Sequence, residues 1–111
     1  MINTKEFYGD TYIDKSDYNE LDAEYKMELK YFKIKEHRNV QTDSNNKIYG
    51  IEIYKKEMKK GKTYTEKKVF NRISDCEENV DMILNILKKN KVTPVAVQDV
   101  LEDLSYKDLE I

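Results

Sequence analysis

Three stretches of the chain predict β-strands: the first two alternate apolar and polar residues with a period of two, and the third is rich in β-forming residues. They cover residues 24–34, 47–58 and 63–73. In the first stretch the apolar residues change phase at Phe32, which predicts a β-bulge or a strand end near this residue. Before the change, its apolar residues are Tyr25, Met27, Leu29 and Tyr31.

Turn-forming residues separate these stretches. A polar cluster at residues 43–46 precedes the second stretch, and a short lysine-rich connection at residues 59–62, which contains Gly61, precedes the third. Such residues favour tight turns. Strands joined by short turns run antiparallel, so the pattern predicts a three-stranded antiparallel β-meander.

Two amphipathic helices are predicted after the strands, because apolar residues there recur every three or four positions. The first helix has two candidate N-caps, Ser74 and Asp75, since each is followed three residues later by a glutamate. The second begins with Thr93 as N-cap and Pro94 as its first helical residue. The two apolar stripes contain Cys76, Val80, Ile83, Leu84 and Leu87, then Val97, Val100, Leu101 and Leu104. We therefore expect an α+β fold, with both C-terminal helices packed on one face of the sheet.

The N-terminal segment has no clean period and many acidic residues. We interpret residues 1–22 as an irregular acidic arm that has room for a short strand or turn. Residues 23–111 then form a single α+β domain, because a chain of 111 residues suits one core.

Charge is unevenly distributed along the chain, although the formal net charge is only -2 and 38% of residues are charged. Residues 1–24 carry seven acids and two bases, whereas residues 25–73 carry six acids and fourteen bases. This segregation bears on partners rather than on the fold. No apolar run reaches the roughly 20 residues of a membrane span, and the N-terminus lacks the apolar core of a signal peptide. We expect a cytoplasmic protein without a membrane partner.

Four short segments resemble a family of uncharacterised small proteins from spore-forming Gram-positive bacteria. They are Tyr49-Gly50-Ile51-Glu52-Ile53, Ile73-Ser74-Asp75, Val92-Thr93-Pro94 and Asp99-Val100-Leu101-Glu102-Asp103-Leu104. The resemblance covers about residues 47–104 and does not reach the first 46 residues. It implies a bacterial cytoplasmic setting and transfers no catalytic residue.

The residues that most often carry chemistry are sparse. Cys76 is the single cysteine, so an intramolecular disulfide is excluded. Acidic neighbours oppose thiolate formation, and we interpret Cys76 as a thiol packed in the core or at its boundary. His37 is the single histidine and is interpreted as an exposed residue at a strand end. None of the three glycines lies in a phosphate-binding motif. We therefore expect no catalytic residue, no cofactor and no metal site, and thus no enzymatic activity.

The basic hairpin is the most suggestive feature for function. Its candidate interaction surface contains Tyr54, Lys55, Lys56, Lys59, Lys60, Lys62, Tyr64, Lys67 and Lys68. Two functions fit it: a non-enzymatic module that binds a protein partner or a second copy of itself, and a small nucleic-acid-binding regulator that uses residues 54–68. Lysines on a hairpin also protect exposed strands from aggregation, and arginine, which reads bases specifically, is nearly absent.

Overall fold

The computed structural model describes residues 2–18, 21, 24–37 and 47–107. In these ranges the elements are β1 (Ile2–Asp14), β2 (Lys26–His37), β3 (Lys47–Lys59), β4 (Lys62–Ser74), α1 (Glu77–Lys89) and α2 (Pro94–Lys107). The expected turn at residues 43–46, part of the expected arm and the last four residues lie outside the described residues.

The four strands form one antiparallel sheet in the order β1-β2-β3-β4. The α+β class and the two C-terminal helices are confirmed, but the prediction of three strands is wrong. The additional strand is β1, which pairs with β2 from Ile2 to Asp14 and lies where the sequence indicated an irregular arm. Its period is hidden by a bulge between Phe7 and Gly9. Because a bulge reverses which side chains point to each face, Phe7 and Ile13 lie on opposite faces of the sheet.

The prediction of a β-bulge or strand end near Phe32 is wrong for β2, and the bulge at this level of the sheet belongs to β1. Pairing of β2 with β3 is continuous from Lys26 to His37. The bulge of β1 stands opposite the bond between Tyr31 and Phe32. The change of phase in β2 arises instead because apolar residues switch from one face of the sheet to the other at this point.

The sheet has two unlike faces. The helix face bears the buried side chains that α1 and α2 cover, and α1 contacts all four strands whereas α2 contacts β3 and β4. Leu29, Tyr31, Ile51 and Ile53 pack there against the apolar stripe of α1. The open face carries the alternate residues of each strand. We use these two names throughout.

The apolar stripe of α1 is confirmed, because Val80, Ile83, Leu84 and Leu87 are buried. In α2, Val97 is buried, whereas the other three stripe residues are partly buried against the core. The buried hydroxyl of Tyr31 donates a hydrogen bond to the carbonyl oxygen of Val92, 2.8 Å away. This bond fixes the turn between the helices to the centre of the sheet.

The start of α1 differs from both predicted caps. The N-cap is Cys76, and its side chain makes no capping hydrogen bond. The hydroxyl of Ser74 instead accepts a hydrogen bond from the Cys76 backbone N–H at 3.0 Å. The second helix begins at Pro94 as predicted. Within the described ranges, no helix is long and apolar enough to cross a membrane.

Candidate functional site

The connection between β3 and β4 is a two-residue turn that follows directly from its sequence. Lys59 pairs with Lys62, and the two residues between them, Lys60 and Gly61, have positive φ angles of 51° and 77°. Two consecutive positive φ angles define a type I′ turn, whose twist matches that of antiparallel strands. The turn therefore extends the hairpin as a regular ribbon and displays its lysines at the tip.

The nine residues of the predicted surface do not form one patch. Strand register and side-chain alternation divide them between the two faces. Tyr54, Lys56 and Lys67 belong to the open face; Lys55, Tyr64 and Lys68 belong to the helix face; Lys59, Lys60 and Lys62 lie at the tip. The hairpin is therefore cationic on both sides, and no single face carries all its charge.

Most of these lysines lack an acidic partner. Lys55 pairs with Glu66 across the two strands at 3.2 Å. Among the described residues, the remaining six lysines make no ion pair. We call these six the lysine ribbon: Lys56, Lys59, Lys60, Lys62, Lys67 and Lys68. Elsewhere in the sheet, Lys26, Lys30 and Lys47 also make no ion pair among the described residues. Within the sheet, most of the lysines without an acidic partner nevertheless lie on β4 and at the end of β3.

The open face contains a shallow depression of about 550 Å³ next to the ribbon. Tyr54 and Lys67 of the predicted surface line it, together with residues that sequence reasoning missed. The missed residues are Lys5, Lys30, Phe32, Glu52, Thr65 and Glu66. The change of phase at Phe32 could have predicted them in part, because it indicates that the other face of the sheet also carries an aromatic residue.

An ion pair between β1 and β3, which passes over β2, closes one side of this depression. The ammonium of Lys5 on β1 lies 4.8 Å from the centre of the Phe32 ring on β2. The same ammonium forms an ion pair with the carboxylate of Glu52 on β3, at 3.0 Å. The Glu52 side chain is only 8% exposed. Since a buried charge without a partner is costly, Lys5 neutralises the acid at the centre of the face.

A second spanning ion pair lies nearer the other end of the sheet. Arg72 of β4 donates from Nε and Nη2 to the carboxylate of Glu36 on β2, at 3.1 Å and 2.8 Å. The Glu36 carboxylate raises the pKa of Arg72. Between these strands lies Gly50 of β3, where a Cβ atom would stand 2.4 Å from the Phe70 carbonyl oxygen. The absence of a side chain at Gly50 allows β4 to bulge at Arg72, which has a φ of 55°.

The helix face has its own polar cluster, which joins the sheet to α1. The buried Lys33 ammonium lies 2.7 Å from carboxylate oxygens of both Glu77 and Asp81. Burial lowers the pKa of Lys33, but hydrogen bonds and charge from the two acids outweigh it, so the pKa is raised. The hydrogen bond from Lys33 lowers the pKa of Glu77. This cluster is fully engaged in positioning α1.

The two residues singled out for chemistry lie on different elements of the fold. His37 is the last residue of β2, and Cys76 precedes α1. Both are half-buried. In the part of the chain that the structure describes, no group of three or more histidine, cysteine or acidic side chains has the geometry of a metal site.

A family model described as a family of unknown function (DUF6514) matches residues 11–107, and the chain belongs to this family. The match is wider than the resemblance over residues 47–104, because it also includes β2 and the end of β1. No curated protein and no solved structure matches the chain significantly.

Proposed function

We propose that this member of the DUF6514 family is a non-enzymatic interaction module that binds an acidic polypeptide along its β3–β4 hairpin. The lysine ribbon supports the proposal, because its six ammonium groups have no ion pair among the described residues. The bacterial cytoplasm implied by the sequence resemblance is the proposed setting.

A polypeptide suits this surface because β4 is the last strand of the sheet. An edge strand presents unpaired N–H and C=O groups, to which an extended segment can add as a further strand. Lys67 and Lys68 point to opposite faces of β4, so an incoming strand meets a lysine on each side. Acidic residues at neighbouring positions of the ligand would then pair with both.

Nucleic-acid binding is the second candidate, because two aromatic rings lie between lysines on the open face. Tyr54 pairs in register with Lys30 and Lys67, and Phe32 lies diagonally beside it. Such rings can stack on bases while lysines neutralise phosphates. Lys5 neutralises Glu52 in this depression, so Glu52 does not discriminate between the two ligands, and the edge position of β4 is what favours the polypeptide.

The experiment compares ligands of matched length. Fluorescence anisotropy is measured at 50 mM and 500 mM NaCl with a labelled 12-residue peptide of three Glu-Glu-Val-Val repeats, which places glutamates on both faces of an extended strand. A peptide with lysine in place of glutamate and a 12-nucleotide single-stranded RNA serve as comparison ligands. We expect the acidic peptide to bind more tightly at low salt, because exposed charges are screened over about 8 Å at physiological ionic strength.

Two double variants locate the binding surface. Lys67→Glu with Lys68→Glu reverses adjacent charges on β4 and is expected to weaken peptide binding by about tenfold or more, from the loss of two exposed ion pairs and added repulsion. Lys88→Glu with Lys89→Glu makes the same change on α1 and should leave affinity within about twofold. Equal losses in both variants, or no binding at 50 mM NaCl, would contradict the proposal. Tighter RNA binding that is lost in Lys59→Glu with Lys60→Glu would favour the second candidate.

A further inference from the structure

Among the described residues, neither outer strand of the sheet pairs with a further strand, and the two outer strands carry opposite charge. β1 forms one edge and β4 the other. Beyond its bulge, β1 bears Asp10 and Asp14, whereas β4 bears Lys62, Lys67 and Lys68. We infer that the acidic polypeptide bound by the lysine ribbon is strand β1 of a second copy of this chain; this inference rests on the function proposed above.

Strand direction permits the contact without rearrangement. All neighbouring strands are antiparallel, so β1 and β4 run in opposite directions. A second copy placed beside the first in the same orientation therefore sets its β1 antiparallel to β4. The result is a continuous eight-stranded sheet in the order β1-β2-β3-β4-β1-β2-β3-β4, with the helices of both copies on one side.

The register within one sheet indicates which residues would meet. Asp10 pairs with Lys30, Lys30 with Tyr54, and Tyr54 with Lys67, so all four lie in one row across the strands. If the second copy is placed beside β4 without a shift along the strands, its Asp10 lies directly opposite Lys67 of the first copy. Residues directly opposite in an antiparallel pair have Cβ atoms about 4.5–5.5 Å apart, which brings the two charges within ion-pair distance.

The same register joins exposed apolar side chains. Phe7, Phe32, Glu52 and Val69 form another row. Phe7 is 58% exposed and Val69 is 41% exposed. An unshifted second copy sets Phe7 against Val69 on the open face and thereby covers two of the most exposed apolar side chains of the sheet. One register thus satisfies both the charge pair and the apolar pair.

Pairing of identical edges lacks this complementarity. Two β4 strands would bring lysines of the ribbon together, and like charges on paired strands are destabilising. The β1–β4 contact is instead heterologous, so a pair of copies retains one unpaired β1 edge and one unpaired β4 edge. Such contacts add copies one after another rather than stopping at two. Self-association should therefore increase steadily with protein concentration.

Cysteine cross-linking tests the register. In a Cys76→Ser background, Phe7→Cys is combined with Val69→Cys. Within one chain these positions lie three strand spacings apart, about 14 Å, which exceeds the roughly 7 Å limit for a disulfide. Oxidation should therefore give a ladder of covalent oligomers. Pairing Phe7→Cys with Thr63→Cys, which is displaced along β4 by roughly 20 Å, should give little ladder.

Charge reversal tests the pairing by mixing. Asp10→Lys and Lys67→Asp should each weaken self-association by roughly tenfold in sedimentation velocity at 50 mM NaCl. An equimolar mixture of the two should associate again, because each supplies the edge that the other lacks. Asp99→Lys on the outer side of α2 is the control and should associate as the wild type does.

The outcomes separate this inference from the function on which it rests. The inference would be overturned if the wild-type protein stayed monomeric in sedimentation velocity at every concentration at low salt. It would also be overturned if the Val69→Cys single variant cross-linked as well as the double variant. If such a monomer still binds the acidic peptide through Lys67 and Lys68, the interaction module stands and only the identity of its partner is wrong. If the protein neither self-associates nor binds the acidic peptide, both proposals fail.

Discussion

Replacement of Gly50 by alanine examines the tightest contact in the sheet. The new Cβ atom would lie 2.4 Å from the Phe70 carbonyl oxygen and 3.1 Å from the Asn71 Cα atom. Both neighbours are backbone atoms, so a rotamer change cannot relieve the clash. Strand β4 would have to move away from β3 at its bulge, and Arg72 would move with it.

The expected cost combines three effects. Overpacking of a tight site typically costs about 1–3 kcal/mol. Displacement of Arg72 would leave the Glu36 carboxylate, 8% exposed, without its charged partner, which costs roughly 1–3 kcal/mol. The reduced entropy of the unfolded chain recovers about 0.4–1 kcal/mol. We therefore expect Gly50→Ala to lower the free energy of unfolding by about 1–6 kcal/mol, out of the 5–15 kcal/mol typical of a domain.

Urea denaturation followed by circular dichroism measures this loss, and the other two glycines supply controls. At Gly9 a Cβ atom would meet only the flexible end of Lys88, so Gly9→Ala should cost less than about 1 kcal/mol. At Gly61 there is open space but a φ of 77°, so Gly61→Ala should cost about 1–2 kcal/mol from backbone strain alone. A Gly50→Ala protein within about 0.5 kcal/mol of the wild type, or less affected than Gly61→Ala, would refute the reasoning.

Two further predictions concern the contacts between the sheet and the helices. Lys33 holds the pKa of Glu77 below its usual value, so their pairing contributes stability above the unfolded-state pKa, which is lost as the pH falls through the folded-state pKa. Lys33→Met should therefore make the loss of stability between pH 5 and pH 2 shallower, as measured by urea denaturation; an unchanged slope would contradict this. Tyr31→Phe removes the only hydroxyl that donates to the Val92 carbonyl in the described residues and should cost about 1–3 kcal/mol. A loss below about 0.5 kcal/mol would show that this carbonyl finds another partner.

Residues of β2 to α2 could largely be predicted from local pattern. The second and third predicted strands end within one residue of β3 and β4, and the stripe of α1 is the one expected. The strand β1 could not be recognised, because its bulge at Gly9 interrupts the period of two on which the prediction depends. The cap of α1 was wrong because Ser74 belongs to β4 and caps from outside the helix.

The candidate site was predicted in part. The lysines were found because they are concentrated in a short segment, but their division between two faces depends on strand register. Lys5 and Phe32 of the depression were missed, since they lie on β1 and β2 and reach the site only through pairing across the sheet. Burial of Glu36 and Glu52 also could not be anticipated, because each is neutralised by a residue distant in sequence.

The sequence by itself determined the pattern of each later strand and helix, the hairpin connection that contains Gly61 and the excess of lysine around it, because these depend on neighbours along the chain. Only the tertiary structure showed which strands form the edges of the sheet and that Asp10 and Lys67 lie in one row. It also showed that the Phe70 backbone approaches Gly50 too closely for a side chain at this position. Strand order and register are set by contacts between residues distant in sequence, so local periodicity does not predict them.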